Sequence, residues 1–142
     1  MRIRIVAGTL GGRFIESPDS FATHPMSERV RGALLNMLGD ITGQRVLDPF
    51  AGSGAIGFEA LSRGASEVVM IERDKKAQTI ISQNIKTLRV NSAVKLIRAN
   101  CRSWSETSQD ELFDLIICDP PYNDIKVSTI ELLTRHLKPN GL

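Results

Sequence analysis

Gly52, Gly54 and Gly57 stand in G-x-G-x-x-G spacing within the segment Asp48-Pro49-Phe50-Ala51-Gly52-Ser53-Gly54-Ala55-Ile56-Gly57, and Glu72 follows Gly52 by 20 residues. Glycines in that pattern let the backbone approach a ligand closely, and an acidic side chain at that separation can accept hydrogen bonds from ribose hydroxyls. The expected ligand is a nucleoside-like cofactor. Asp48 bears on its charge: a carboxylate just ahead of the loop repels a diphosphate and attracts the ammonium group of S-adenosylmethionine. Some 45 residues precede the loop, whereas in dinucleotide-binding domains the glycine loop usually opens the fold. The methyl donor is therefore the expected cofactor, and a nicotinamide-linked redox enzyme is an alternative resting on the glycine spacing alone.

A second group, Asp119-Pro120-Pro121-Tyr122, directly follows the apolar run Leu115–Cys118, where open α/β sheets place their ligand crevice. Consecutive prolines stiffen the turn and remove two backbone donors, which frees nearby carbonyls as acceptors. Asp119 and the Pro120 carbonyl can both accept from an exocyclic amine, directing its nitrogen lone pair at a methyl group, while Tyr122 stacks on the base. Stacking of this kind contributes roughly 1–3 kcal/mol and offsets part of the cost of extruding a base. Exocyclic amines of different nucleic-acid bases fit this motif equally well.

These residues need a scaffold that brings two loops together. From Arg45 onward, apolar runs alternate with helical patterns: Val46–Phe50, a helix from about Ala55 to Arg63, Val68–Glu72 and a helix from about Lys75 to Leu88 with Ala77, Ile80, Ile81, Ile85 and Leu88 on one face. Val94–Ala99, a short helix or loop around Trp104, Leu115–Cys118 and a helix through Ile130, Leu133 and Leu137 follow. The alternation predicts a Rossmann-like α/β fold with a doubly wound, mostly parallel sheet. Ahead of it, Arg2–Val6 and Arg13–Glu16 flank Gly11-Gly12 as a β-hairpin, and Ser27 caps a helix that stops at Gly39. The expected division is an N-terminal extension, residues 1–44, and a cofactor-binding core, residues 45–142. Lys138–Leu142 reads as a helix end and the first residue of another strand, so the last strands of such a sheet are expected to be missing, and activity without them is open.

The 142 residues, 42% hydrophobic and 24% charged, are enough to bury a core without disulfides or a structural metal. Cys101 and Cys118 lack CxxC spacing, so they read as reduced thiols and no metal is expected. Nor is a membrane span or signal peptide expected, and the predicted location is cytoplasmic. The net charge of +2 lies wholly in residues 1–31, where Arg2, Arg4, Arg13, Arg29 and Arg31 face Glu16, Asp19 and Glu28. A basic arm beside a neutral domain suits a nucleic-acid backbone, although scattered solvated arginines read equally well. His24 and His136 read as surface residues, Trp104 as a helix-to-core anchor, Cys118 as a buried strand residue, and Lys75 with Lys76 as a solvated face.

Together, the Asp48–Gly57 loop, Glu72 and Asp119–Tyr122 resemble the motifs of class I S-adenosylmethionine-dependent amino-methyltransferases. Arg4-Ile5-Val6-Ala7-Gly8-Thr9-Leu10-Gly11-Gly12-Arg13 and His24-Pro25-Met26-Ser27-Glu28-Arg29-Val30-Arg31 narrow the resemblance to the RsmD-type family, which methylates a guanine N2 amine in small-subunit (16S) ribosomal RNA. The family usually shows Arg-Pro-Thr where this chain has His24-Pro25-Met26, leaving Ser27 to supply the hydroxyl. The resemblance implies that Asp48, Phe50, Ala51, Gly52, Ser53, Gly54 and Gly57 line the cofactor. It places Glu72 at the ribose, Asn100 and Cys101 beside the adenine, and Asp119, Pro120, Pro121 and Tyr122 around the target base. Arg2, Arg4, Arg13, Arg29 and Arg31 would meet the ribosomal RNA, free or in an assembling small subunit. The alternatives are a DNA adenine-N6 methyltransferase and a non-catalytic domain that binds cofactor or RNA.

Overall fold

Two periodicities, alternate burial in the strands and one inward stripe per helix, organise the computed structural model, which describes residues 1–19, 26–121 and 126–142. Expectations for His24, Pro25 and Tyr122 lie outside the described residues. The hairpin pairs β1 (Arg2–Arg4) antiparallel with β2 (Phe14–Glu16), with Ile3 opposite Ile15. The order then runs α1 (Glu28–Leu38), β3 (Arg45–Asp48), α2 (Ala55–Ser62), β4 (Glu67–Glu72), α3 (Lys75–Leu88), β5 (Val94–Arg98), α4 (Cys101–Thr107), β6 (Leu115–Ile116) and α5 (Val127–Thr134). Among the described residues β3 to β6 form a parallel sheet in the order β5-β4-β3-β6. This is the expected doubly wound α/β architecture.

Alternation along the strands divides the core into two layers, as the pleat requires. Val46, Val68, Met70, Val94 and Leu115 face one side, and Leu47, Val69 and Ile71 face the other, against Trp104, Phe113 and Leu133. Trp104 is thus the anchor expected of it. Local signals set the helix ends. The Ser27 hydroxyl accepts the Val30 N–H at 3.2 Å and Gly39, at φ 72°, ends α1. The Ser27 hydroxyl therefore belongs to a helix cap. Asp74 accepts the Ala77 N–H at 2.9 Å to open α3, whose inward stripe holds Ala77, Ile81, Ile85 and Leu88 while Ile80 stays partly exposed.

The hairpin shares the core of the sheet. Ile3, Ile5, Ile15 and Leu35 belong to the same buried cluster as Val46, Phe58 and Met70. Between them lies α2, buried along nearly its whole length; such a helix needs apolar neighbours on every side.

Three expectations about the last third are corrected. The segment Leu115–Cys118 is regular strand only at Leu115–Ile116, and Cys118 is exposed. Ile117 is still buried and donates to the Leu47 carbonyl at 3.1 Å, while Pro120 and Pro121, further on, cannot donate to a ladder. Leu137 lies beyond α5, which ends at Thr134, and pairs instead with Phe113. His136 is 2% exposed, bonded at 2.7 Å to both the Ser105 hydroxyl and the Glu111 carbonyl and set 4.6 Å from the Trp104 ring centroid. Its two ring nitrogens are satisfied inside the molecule, which removes it from the surface. Leu142 donates to the Asp114 carbonyl at 3.0 Å and accepts the Ile116 N–H at 2.9 Å, the slanted bonding of a parallel partner.

Candidate active site

Because β3 pairs with β4 on one side and β6 on the other, the sheet's order reverses between β3 and β6. Crevices in open parallel sheets form at the carboxyl ends of the strands at such a reversal. The loop after β3 is Pro49–Gly54 and the segment after β6 carries Asp119, so the two sequence motifs meet here.

The loop is shaped by left-handed backbone at Gly52 (φ 57°) and Gly54 (φ 83°), conformations that side-chain-bearing residues rarely adopt. Gly54 donates to the Ala51 carbonyl at 2.7 Å and Ala51 to the Ile71 carbonyl at 3.0 Å, which ties the loop to β4. The Ser53 hydroxyl accepts the Ala55 N–H at 3.2 Å. Gly57 serves packing: a Cβ there would lie 2.5 Å from Met70 Cε and 3.0 Å from Val68 Cγ1. Helix α2 is thereby drawn onto the sheet, and the Gly57 N–H reaches Asp48 Oδ2 at 3.2 Å.

Asp48 is fully buried, and its second oxygen, Oδ1, has no hydrogen-bond partner among the described residues. Burial pushes its pKa up to about 7; the Gly57 N–H opposes this, while Asp119 and Glu72 reinforce it. Asp119, exposed at the end of the β6 segment, is itself raised by desolvation. Glu72, at the carboxyl end of β4, accepts the Gly52 N–H through Oε2 at 2.6 Å and the Asp74 N–H through Oε1 at 2.8 Å. A carboxylate has about four lone-pair positions, so each oxygen retains capacity for a further hydroxyl.

The other expected residues lie around these groups. Phe50 is half-buried against the Trp104 layer. Asn100 caps α4 by accepting the Arg102 N–H at 2.8 Å, and Cys101 is buried beside it. Cys118 has its thiol pushed up to about 11 by desolvation, with Asp48 and Cys101 adding to the rise, so it is a poor thiolate nucleophile at neutral pH. Pro120 and Pro121 are half-buried; Tyr122 lies outside the described residues.

A buried acceptor oxygen without a partner, a glycine cradle and neighbouring carboxylates fit a nucleoside that carries positive charge. They are the wrong chemistry for a diphosphate, which three carboxylates would repel. Among the described residues no group of His, Cys, Asp and Glu is arranged to hold a metal ion, and no helix is long and apolar enough to cross a membrane.

The extension is tied to α2 and α3 through contacts that local sequence patterns do not show. Glu59, on α2 and fully buried, accepts the Val6 N–H at 2.9 Å and the Ala7 N–H at 3.1 Å. It also accepts Nε–H bonds from Arg31 and Arg63, each at 3.2 Å. Burial opposes its ionisation, but these four bonds outweigh it and hold the carboxyl below its usual range. Arg31, 1% exposed, further donates to the Met26 and Arg4 carbonyls. It is therefore an internal counter-charge, a correction to its expected place at the RNA surface. Ser62 donates to the Ala7 carbonyl and accepts the Leu10 N–H. The Asn84 side chain makes two 2.9 Å bonds to the Glu16 backbone. One signal was available: Glu59 is the only charged residue in the run Ala55–Ser62, and Arg31 shares helical spacing with Leu35 and Leu38.

Arg2, Arg4, Arg13 and Arg29 are exposed. Arg4 pairs with Glu28 at 3.1 Å, and Arg13 donates to the Thr87 carbonyl at 3.0 Å near the end of α3.

Comparison with known proteins agrees with this architecture. The family model described as Conserved hypothetical protein 95 matches residues 3–142. Ribosomal RNA small subunit methyltransferase D of Haemophilus influenzae is 36% identical over 146 residues, covering 99% of this chain and 76% of that protein. The protein of the same name from Buchnera aphidicola is 37% identical over 134 residues, covering 93% and 70%. A solved structure of the Thermus thermophilus protein TTHA0928 superposes with a TM-score of 0.86 at 30% identity, covering 98% of this chain and 82% of that one. The chain belongs to the Conserved hypothetical protein 95 family, which it shares with proteins named ribosomal RNA small subunit methyltransferase D.

Proposed function

We propose that this protein methylates the exocyclic N2 amine of a guanine in small-subunit ribosomal RNA, with S-adenosylmethionine as donor. The observation that carries the reading is that Asp119 follows β6 at the same sheet reversal where the neighbouring strand β3 ends on the buried Asp48. It brings an amine acceptor beside a cradle for a cationic nucleoside. The ribosomal RNA substrate is supported by the relatives' names.

When bound, S-adenosylmethionine supplies a methyl group activated by its sulfonium. Asp48 Oδ1 would face the donor's positive charge, Glu72 its ribose, and Asn100 with Cys101 its adenine. Asp119 and the Pro120 carbonyl accept the two amine hydrogens, which fixes the direction of the nitrogen lone pair. That lone pair would take the methyl group as its bond to the donor's sulfur breaks, the bonding electrons staying on sulfur as a neutral thioether, and the surplus amine proton would leave to water. Alignment and polarisation do the work, with no metal and no covalent enzyme intermediate. Tyr122 would stack on the base. Residues 1–44 act as the RNA-contacting extension of the 45–142 core, with Arg2, Arg4, Arg13 and Arg29 on phosphates, and the place of action is the cytoplasm.

The test is Asp119→Ala. Methyl transfer to small-subunit RNA should vanish while cofactor affinity is kept; loss of both would contradict the assigned role.

A further inference from the structure

We propose that Phe14, with Arg2 beside it, is a stacking platform for an unpaired base of the RNA substrate; this rests on the ribosomal RNA reading above. The outward face of the hairpin carries Arg2, Arg4, Phe14 and Glu16, with Ile3 and Ile15 inward. Phe14 stands directly across from Arg4, and the Arg2 guanidinium carbon lies 4.0 Å from the Phe14 ring centroid. Phe14 is 44% exposed and, among the described residues, is the only exposed aromatic side chain.

Nothing in the core requires a phenyl ring at this position, since Ile3 and Ile15 already close the inner face at 7% and 2% exposure. The platform is also held firmly. Asn84 grips both backbone groups of Glu16, and Glu59 and Ser62 fasten the chain that leaves β1. Its position relative to the cofactor crevice is therefore set by α2 and α3. An aromatic ring on a strand, flanked by arginines, has the chemistry of single-strand recognition: the ring takes any base by stacking, and the cations take the neighbouring phosphates. Two arginines against Glu16 give the face its positive excess, although Arg4 shares its charge with Glu28. An arriving base replaces the Arg2 guanidinium over the ring, and Arg2 turns to the adjoining phosphate.

The experiment measures binding of the full chain to protein-free small-subunit ribosomal RNA, and to a fully paired RNA duplex, across a salt series. Phe14→Ala should weaken ribosomal RNA binding roughly tenfold, leave the salt slope and duplex binding unchanged, and keep cofactor affinity; Phe14→Trp should restore binding. Arg2→Ala should instead reduce the salt slope by about 1. Wild-type affinity in Phe14→Ala, or equal losses on both RNAs, overturns the platform. A wild-type chain that shows the Phe14 effect but transfers no methyl group would refute the proposed reaction and leave the platform standing.

Discussion

The Glu72 carboxylate reaches from the end of β4 to the backbone of the glycine loop, accepting the Gly52 N–H at 2.6 Å. The residue proposed to hold the donor's ribose thus also braces the glycine loop, so its removal is expected to damage both. Glu72→Ala should lower S-adenosylmethionine affinity by about 10- to 100-fold, the scale of a hydrogen bond to a charged group. RNA affinity should stay near wild type. Calorimetric titration of each ligand checks this.

Asp48 links cofactor binding and stability to pH. Its pKa in the folded chain is raised from the ordinary value of 3.8 to about 7 by burial. The protonated carboxyl therefore favours the fold. That contribution is complete below about pH 4, where the unfolded chain is also protonated, and is lost as pH rises to 7. Urea unfolding should show Asp48→Asn losing less stability than wild type between pH 5 and 7.5, by roughly 2 kcal/mol. Binding a cationic donor requires the ionised form, so wild-type affinity should strengthen across the same range, up to about tenfold per pH unit. Asp48→Asn should bind more weakly and without that slope.

Arg31 and Arg29 separate structural charge from surface charge two residues apart. Arg31→Ala leaves Glu59 buried without one of its partners and should cost about 3–5 kcal/mol. Arg29→Ala, on the exposed face of α1, should leave the urea midpoint within error, weaken RNA binding and reduce its salt slope by about 1. If Arg31→Ala proves as stable as Arg29→Ala, the internal role given to Arg31 fails.

Gly57 tests the fit of α2 on the sheet. Alanine favours helix by about 1 kcal/mol, but its Cβ would press on Met70 and Val68. Overpacking on this scale costs about 1–3 kcal/mol, a net loss of up to about 2 kcal/mol after the helix gain, so Gly57→Ala should lower Tm, by up to several degrees, in a thermal scan.

Much of the site was legible because its signals are local. The spacing of Gly52, Gly54 and Gly57, the separation to Glu72, and the prolines after Asp119 each depend on a few neighbouring residues, and strand alternation places them at one edge. The Glu59 hub depends on Val6, Ala7, Arg31 and Arg63, segments brought together only by the fold. Arg31 looked like its exposed neighbour Arg29 because both sit in one basic stretch; burial depends on which side of α1 each occupies. His136 and Cys118 were exchanged for a similar reason. Neither the end of β6 at Ile116 nor the Ser105 partner is visible in hydropathy.

The central claim is tested most directly by incubating this 142-residue chain with labelled S-adenosylmethionine and small ribosomal subunits, or their RNA, from cells lacking the modification. Duplex DNA is offered in parallel and the labelled nucleoside identified. The account predicts label in N2-methylguanosine from the ribosomal RNA. Label in N6-methyladenine from the DNA, or no label from a chain that binds the donor, would contradict it.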